Sequence, residues 1–305
     1  MKTTSKTIAA VVALGMIFGA TAASAESIIE RLYTFSRVSE SLPIEDITPQ
    51  RGDSSPTNRD KSPGTEETRT RETAGCAAYS WYFKHTKDGA RPPIPPEMSF
   101  IENHGGYFLG KDEPVIYLTF DAGYENGNVE KILDTLKTEN IPGAFFILDN
   151  LVLKNTDLVL RMAEEGHTVC NHTAKHRDMT TVISFDEFAS ELSRMEQIYK
   201  DTTGYELAKF YRPPEGKFNE SNLEWADSLG YKTIFWSFAY ADWDNENQMS
   251  PDRAIDKIIS ETHNGEVILL HPTSKTNAEI LPTLIKKWRE MGYRFGTLDE
   301  LTGAR

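Results

Sequence analysis

Short, uninterrupted apolar runs recur between residues 115 and 296, separated by segments whose apolar residues return at helical spacing. The strand candidates are "VIYLTF" (115–120), "GAFFIL" (143–148), "HTVCN" (167–171), "KFYR" (209–212), "YKTIFWSF" (231–238), "EVILLH" (266–271) and "YRFG" (293–296). A strand with one wet face alternates apolar and polar residues; these runs do not, so both faces of their sheet must be covered. Between them, Val129, Ile132, Leu133 and Leu136 make one helical stripe, and Phe185, Phe188, Leu192, Met195 and Tyr199 another. Ser184 followed by Glu187 reads as a capping-box start, and Gly204 as a stop. Apolar strands alternating with amphipathic helices specify an α/β fold with a parallel sheet under helices. About seven βα units can wind as an open sheet or close as a barrel, and periodicity does not choose between them.

This region is expected to be one domain over 79–305, beginning near the aromatic "YSWYF". Upstream, residues 1–25 read as a signal peptide: Lys2 and Lys6, a short apolar core, then "ASA" at 23–25. Residues 26–78 read as a linker, since "DITPQRGDSSPTNRDKSPGTEETRTRETAG" (46–75) offers almost nothing to bury. The expected location is therefore secreted or cell-envelope, with no firm membrane association after cleavage. The net charge is −13, and becomes −15 without Lys2 and Lys6, which argues against a nucleic-acid partner. Two cysteines, Cys76 and Cys170, do not make a disulfide scaffold; Cys170 reads as a small buried residue closing a strand.

In either winding, function collects at the carboxyl ends of the strands. Asp121, Asn171, His172, Arg212 and His271 lie at or just past such ends, and Asp242 follows a few residues after another. A carboxylate can take a proton from water, a histidine can give one to a leaving group, and paired histidines can hold a Lewis-acid metal. An arginine beside the carboxylate would lower its pKa, and an aspartate beside the histidine would raise that one. The set suits metal-assisted hydrolysis of an amide or ester. No G-x-S-x-G elbow or phosphate-cradling loop is present, which weakens serine-hydrolase and P-loop readings. The spacing of His172 and His176 in "CNHTAKH" does not by itself decide between metal ligands and loop residues, because i,i+4 side chains share a face only on a helical turn.

"TFDAG" (119–123), "NHTAKH" (171–176), "RPPEG" (212–216), "DW" (242–243) and "ILLH" (268–271) resemble, in order, the motifs of the polysaccharide deacetylases, the NodB-homology carbohydrate esterases. The longer stretches "TFDAGYENGN", "WSFAYADWDNENQ" and "ILLHPTSKTNAEIL" look like the delta-lactam-biosynthetic muramic acid de-N-acetylase branch. The resemblance implies a deformed (β/α) barrel of about seven parallel strands and removal of acetyl groups from N-acetylated sugars. It implies Asp121 as general base tuned by Arg212, and His271 as general acid oriented by Asp242. It also implies His172 and His176 as ligands of a divalent metal, with zinc expected. The Glu215 backbone N–H would hold the oxyanion, and Trp243 would wall the sugar pocket, with Asn171 on the same substrate side. The implied partner is the peptidoglycan glycan strand, and the implied product leads to muramic δ-lactam in spore cortex.

One position departs from the pattern. The family carries two adjacent aspartates, the second a metal ligand; here the second is Ala122, so the ligand set loses its carboxylate unless another, such as Glu125, replaces it. Two rival readings follow: an N-acetylglucosamine or chitooligosaccharide deacetylase, and a glycan-binding pseudoenzyme. His85, His104, His167 and His263 match none of the motifs and are expected to be structural or solvated, and Trp236 to be core.

Overall fold

The computed structural model describes residues 77–303. The expected signal peptide, nearly all of the expected linker, and Cys76 lie outside the described residues. Within them, no helix is long and apolar enough to cross a membrane.

The first strand, β1 (Tyr79–Ser80), pairs antiparallel with β7 (Lys217–Phe218) and stands apart from the main sheet. That sheet has eight strands: β2 (Gly106–Tyr107), β3 (Val115–Ala122), β4 (Ala144–Ile147), β5 (Thr168–Asn171), β6 (Ala208–Tyr211), β8 (Lys232–Ile234), β9 (Glu266–Leu270) and β10 (Arg294–Phe295). Every pairing in it is parallel. All seven runs expected from the sequence are present. The path β9-β3-β4-β5-β6-β8-β2 then curls on itself: Phe238, just past β8, bridges Ile268 of β9, and Leu109, just past β2, bridges Glu266. Main-chain bonds from Ser237 to Val267 and from Leu269 to Phe238, both 2.9 Å, tie that seam. The choice that periodicity left open falls to a deformed (β/α) barrel.

The crossing at the seam also explains why β8 stops at Ile234, short of the expected 238. After Ile234 the chain leaves β6 and turns toward β9. β10 is similarly brief because it reaches only the start of β3, at Val115 and Ile116.

Among the described residues, eight α-helices pack around this sheet: α1 (Val129–Glu139), α2 (Asp149–Lys154), α3 (Thr156–Glu164), α4 (Phe185–Thr203), α5 (Glu220–Ser228), α6 (Pro251–Glu261), α7 (Lys275–Glu290) and α8 (Leu298–Thr302). The stripe Val129, Ile132, Leu133 and Leu136 is wholly buried on α1, in one cluster with Ile116, Leu118 and Phe120 of β3. On α4, Phe188, Leu192, Met195 and Tyr199 are buried, but Phe185 at its first turn stays exposed. Ser184 Oγ accepts from the Glu187 N–H at 3.3 Å, yet the Glu187 carboxylate pairs with Arg177 at 2.8 Å. The expected capping box is therefore half made; the reciprocal one forms at Asn219 and Asn222 before α5. Gly204 ends α4 in the left-handed region, φ 80°.

Candidate active site

Period-2 alternation along β3 delivers the first site residue. Ile116, Leu118 and Phe120 face the helices; Val115 and Tyr117 belong to the cluster with Phe146 and Val267. Thr119 and Asp121 continue the second parity, so Asp121 sits inside the mouth of the barrel. Its Oδ1 accepts from Nη1 of Arg212 at 2.8 Å. Arg212, just past β6, is fully buried, and its other two nitrogens are also bonded. Nε donates to Ile234 C=O at 2.9 Å, and Nη2 to Thr119 Oγ1 at 2.9 Å and Phe235 C=O at 3.3 Å. The guanidinium also lies 4.1 Å over the Phe146 ring. Burial works to raise the Asp121 carboxyl, but the Arg212 charge, helped by His172 and His271, holds it below the ordinary carboxylate value.

Asn171, His172 and His176 follow β5. The segment is not a helical turn; left-handed backbone at Thr173 (φ 67°) and His176 (φ 55°) folds it back. The two imidazole rings still come together, 5.0 Å between centroids. For a β-branched residue such as Thr173 this backbone is strained, by about 1–3 kcal/mol. His172 is buried and its Nδ1–H donates to the Arg212 C=O at 2.8 Å, which leaves the Nε2 lone pair 3.5 Å from Asp121 Oδ2. Burial pushes its pKa down to about 4, with His176 and Arg212 adding to this against the pull of Asp121. The ring is neutral at neutral pH, as a ligand must be. Asn171 does not take the substrate role that the resemblance implied. It is fully buried, its amide donating to Leu192 C=O at 3.0 Å and Tyr231 Oη at 2.9 Å, its carbonyl accepting from Thr173 N–H at 2.9 Å. It anchors the histidine loop.

Facing Asp121, His271 lies just past β9. Its Nδ1–H donates to Asp242 Oδ1 at 2.7 Å, and its main-chain N–H to Asp242 Oδ2 at 2.8 Å. Burial alone would lower this imidazole's pKa; Asp242, by charge and hydrogen bond, and more distantly Asp121, raise it above the ordinary value. Asp242 is buried, and behind it stand Asn277 and Tyr240, neither singled out from the sequence. Thr119 was likewise unmarked, although a small hydroxyl residue among the large apolar ones of "VIYLTF" is a readable signal.

At the rim, Glu215 takes left-handed backbone (φ 55°) in the 3₁₀ turn Pro214–Gly216, and its side chain turns outward to Lys217 at 2.7 Å. Trp243 is 65% exposed. Tyr124, also exposed and also unmarked, accepts a 2.6 Å bond from Nδ2 of Asn245, joining the loop after β3 to the one carrying Trp243. Trp236 is partly buried against the core, and Cys170 is a buried free thiol. His263 is buried and bonded to Glu261 C=O and Ser237 Oγ, both at 2.9 Å, and His167 is buried beside Gly143.

Among the described residues at this mouth, the donors that could hold a metal are two imidazoles and, at most, the carboxylate already bound by Arg212. Ala122 is buried in the apolar cluster and offers none. Glu125 does not replace it: its two oxygens accept from the Gly127 and Val129 N–H groups, capping α1. The residues fit a cation held through His172 and His176 with positions left for water or substrate; they do not fit a dedicated three-ligand site.

A barrel carrying an arginine-held aspartate opposite an aspartate-held histidine defines a class of hydrolase, and comparison with known proteins places the chain within it. Residues 109–234 match the polysaccharide deacetylase family model. Over 225 residues the chain is 39% identical to the peptidoglycan-N-acetylmuramic acid deacetylase PdaA of Bacillus subtilis, covering 73% of this chain and 85% of that protein. It is 32% identical over 209 residues to a peptidoglycan-N-acetylglucosamine deacetylase of Bacillus cereus, 67% of this chain and 74% of that one. The structure of B. subtilis PdaA, a family 4 carbohydrate esterase, superposes with a TM-score of 0.72 at 37% identity, covering 75% of this chain and 98% of that one. The chain belongs to the polysaccharide deacetylase family, and is a hydrolase of that family.

Proposed function

We propose that this enzyme removes the N-acetyl group from N-acetylmuramic acid in peptidoglycan, after export, and that the freed amine closes onto the neighbouring lactyl carboxylate to give muramic δ-lactam in spore cortex. The observation that carries the chemistry is the pair of tuned groups at one mouth, Asp121 on Arg212 and His271 on Asp242. Asp121, ionised because Arg212 depresses its pKa, takes a proton from water as the oxygen attacks the acetyl carbonyl. The oxyanion is held by the Glu215 N–H. His271, whose protonated form Asp242 favours, gives its proton to the departing nitrogen as the C–N bond breaks; acetate and a free amine result. A divalent cation on His172 and His176, zinc by donor type, would supply further polarisation of the carbonyl. Trp243 and Tyr124 offer ring faces on which a sugar can stack.

The muramic preference draws support from the likeness to PdaA. The likeness to the B. cereus enzyme favours a second reading, the same hydrolysis on N-acetylglucosamine. Digestion of defined peptidoglycan, with and without stem peptides, followed by mass analysis separates them. The expected result is acetyl loss from muramic residues; loss from glucosamine residues alone would refute the first reading.

A further inference from the structure

Behind the Asp242–His271 pair lies a second layer of hydrogen bonds. Oδ2 of Asp242 accepts from Nδ2 of Asn277 at 2.6 Å as well as from the His271 main-chain N–H at 2.8 Å. The same Asn277 nitrogen donates to the His271 C=O at 3.1 Å, and its Oδ1 accepts from the Tyr240 hydroxyl. Asn277 is buried in the first turn of α7, where Ser274 Oγ accepts its main-chain N–H at 3.1 Å. An amide has one donor end and one acceptor end, and a flip would turn its oxygen onto the Asp242 carboxylate. The Asp242 carboxylate and the His271 C=O can only accept, so they hold the amide nitrogen on their side, and the Tyr240 hydroxyl, donating to Oδ1, completes the orientation.

We propose that Asn277, oriented by Tyr240, is a positioning residue for the reaction, fixing the Asp242 carboxylate so that Oδ1 meets Nδ1 of His271 and taking up part of the negative charge that His271 faces. The proposal rests on the deacetylase reading. A carboxylate with a strong donor on one oxygen presents less charge at the other. Without Asn277, Asp242 would hold the imidazolium proton more tightly and in a less defined direction. The other charged groups acting on His271, Asp121 and Arg212 at the same mouth, are untouched by the change.

The test is an NMR titration of the His271 imidazole in the full chain as wild type, Tyr240→Phe and Asn277→Ala, with acetate-release kinetics alongside. The His271 midpoint should move to higher pH in Asn277→Ala, and less far in the same direction in Tyr240→Phe. The kcat should fall about tenfold and about threefold respectively, with KM unchanged, as expected for loss of a bond to a charged group and of the bond that orients it. A purely structural role would lower the melting temperature while leaving the midpoint and the kcat of folded protein alone. That outcome, or a midpoint moving to lower pH, would overturn the proposal. If Asn277→Ala does not fold, Tyr240→Phe decides by the same criteria. The titration needs no substrate, so a wild type releasing no acetate from any glycan would refute the deacetylase reading, while the midpoint still decides the relay.

Discussion

An aspartate at the end of a strand is ordinary turn chemistry, and Asp121 is distinguished by its company: a buried guanidinium on one oxygen and an imidazole near the other. Asp121→Asn keeps the size and removes the basicity, so activity should fall about 10²–10⁴-fold with the fold intact, as a circular-dichroism melt beside an acetate-release assay would show. Near-normal turnover would reject the base assignment. Its neighbour makes a different prediction. Ala122 is buried among apolar side chains, so Ala122→Asp places a carboxylate where an unpaired charge is costly. With chelator present that variant should melt below wild type, and zinc should raise its midpoint more than it raises the wild type's. Equal zinc shifts would mean that the new carboxylate is not a ligand. These residue types were legible because their chemistry is scarce in apolar strands. Asn277 and Tyr240 were not, since an amide and a phenol in a helical turn and a loop read as surface until partners are known.

At the scale of elements, what could be read was what repeats. The α1 stripe obeys the 3.6 period, and the runs of β3, β4, β5, β6 and β9 recur as short apolar stretches buried on both faces. β1, β2 and β7 span two residues each and carry no period. They exist because long-range partners reach them, which no local pattern records. The histidine loop was undecidable for a related reason: i,i+4 spacing brings two rings together only on a helical turn, whereas here Asn171 and two left-handed residues do so. Since α1 covers the outer face of the strand that carries Asp121, its stripe offers a clean separation of stability from chemistry. Leu133 is fully buried, and Leu133→Ala should cost about 2–5 kcal/mol in urea unfolding. The kcat of the folded fraction should stay within about threefold of wild type, less than one good hydrogen bond is worth. A large loss of kcat at unchanged stability would show that the helix layer tunes the site directly.

The whole molecule runs its polarity along the strands, with reactive groups at their carboxyl ends and a different titrating group at the opposite end of β9. Glu266 opens that strand and is completely buried; its Oε2 accepts from His263 N–H at 3.3 Å, while Oε1 has no partner. Burial, reinforced by the Glu261 charge, holds its carboxyl well above the ordinary value despite bonds that favour ionisation. The folded state therefore keeps this proton where the unfolded chain, with its value near 4.5, has lost it. A group raised in this way contributes fully below the unfolded value, and its contribution is lost as pH rises through the folded one. Glu266→Gln keeps the shape and the acceptor and cannot ionise. The difference in unfolding free energy, Gln minus Glu, should therefore grow with pH from about 5 upward and level off above the folded value of Glu266, as urea titrations at several pH values would measure. The mouth should be indifferent to the change, with kcat and the His271 limb of the pH–rate profile unmoved. A difference that shrinks as pH rises would mean that Glu266 is ionised in the folded protein, and that a cation or donor at the closed end compensates it.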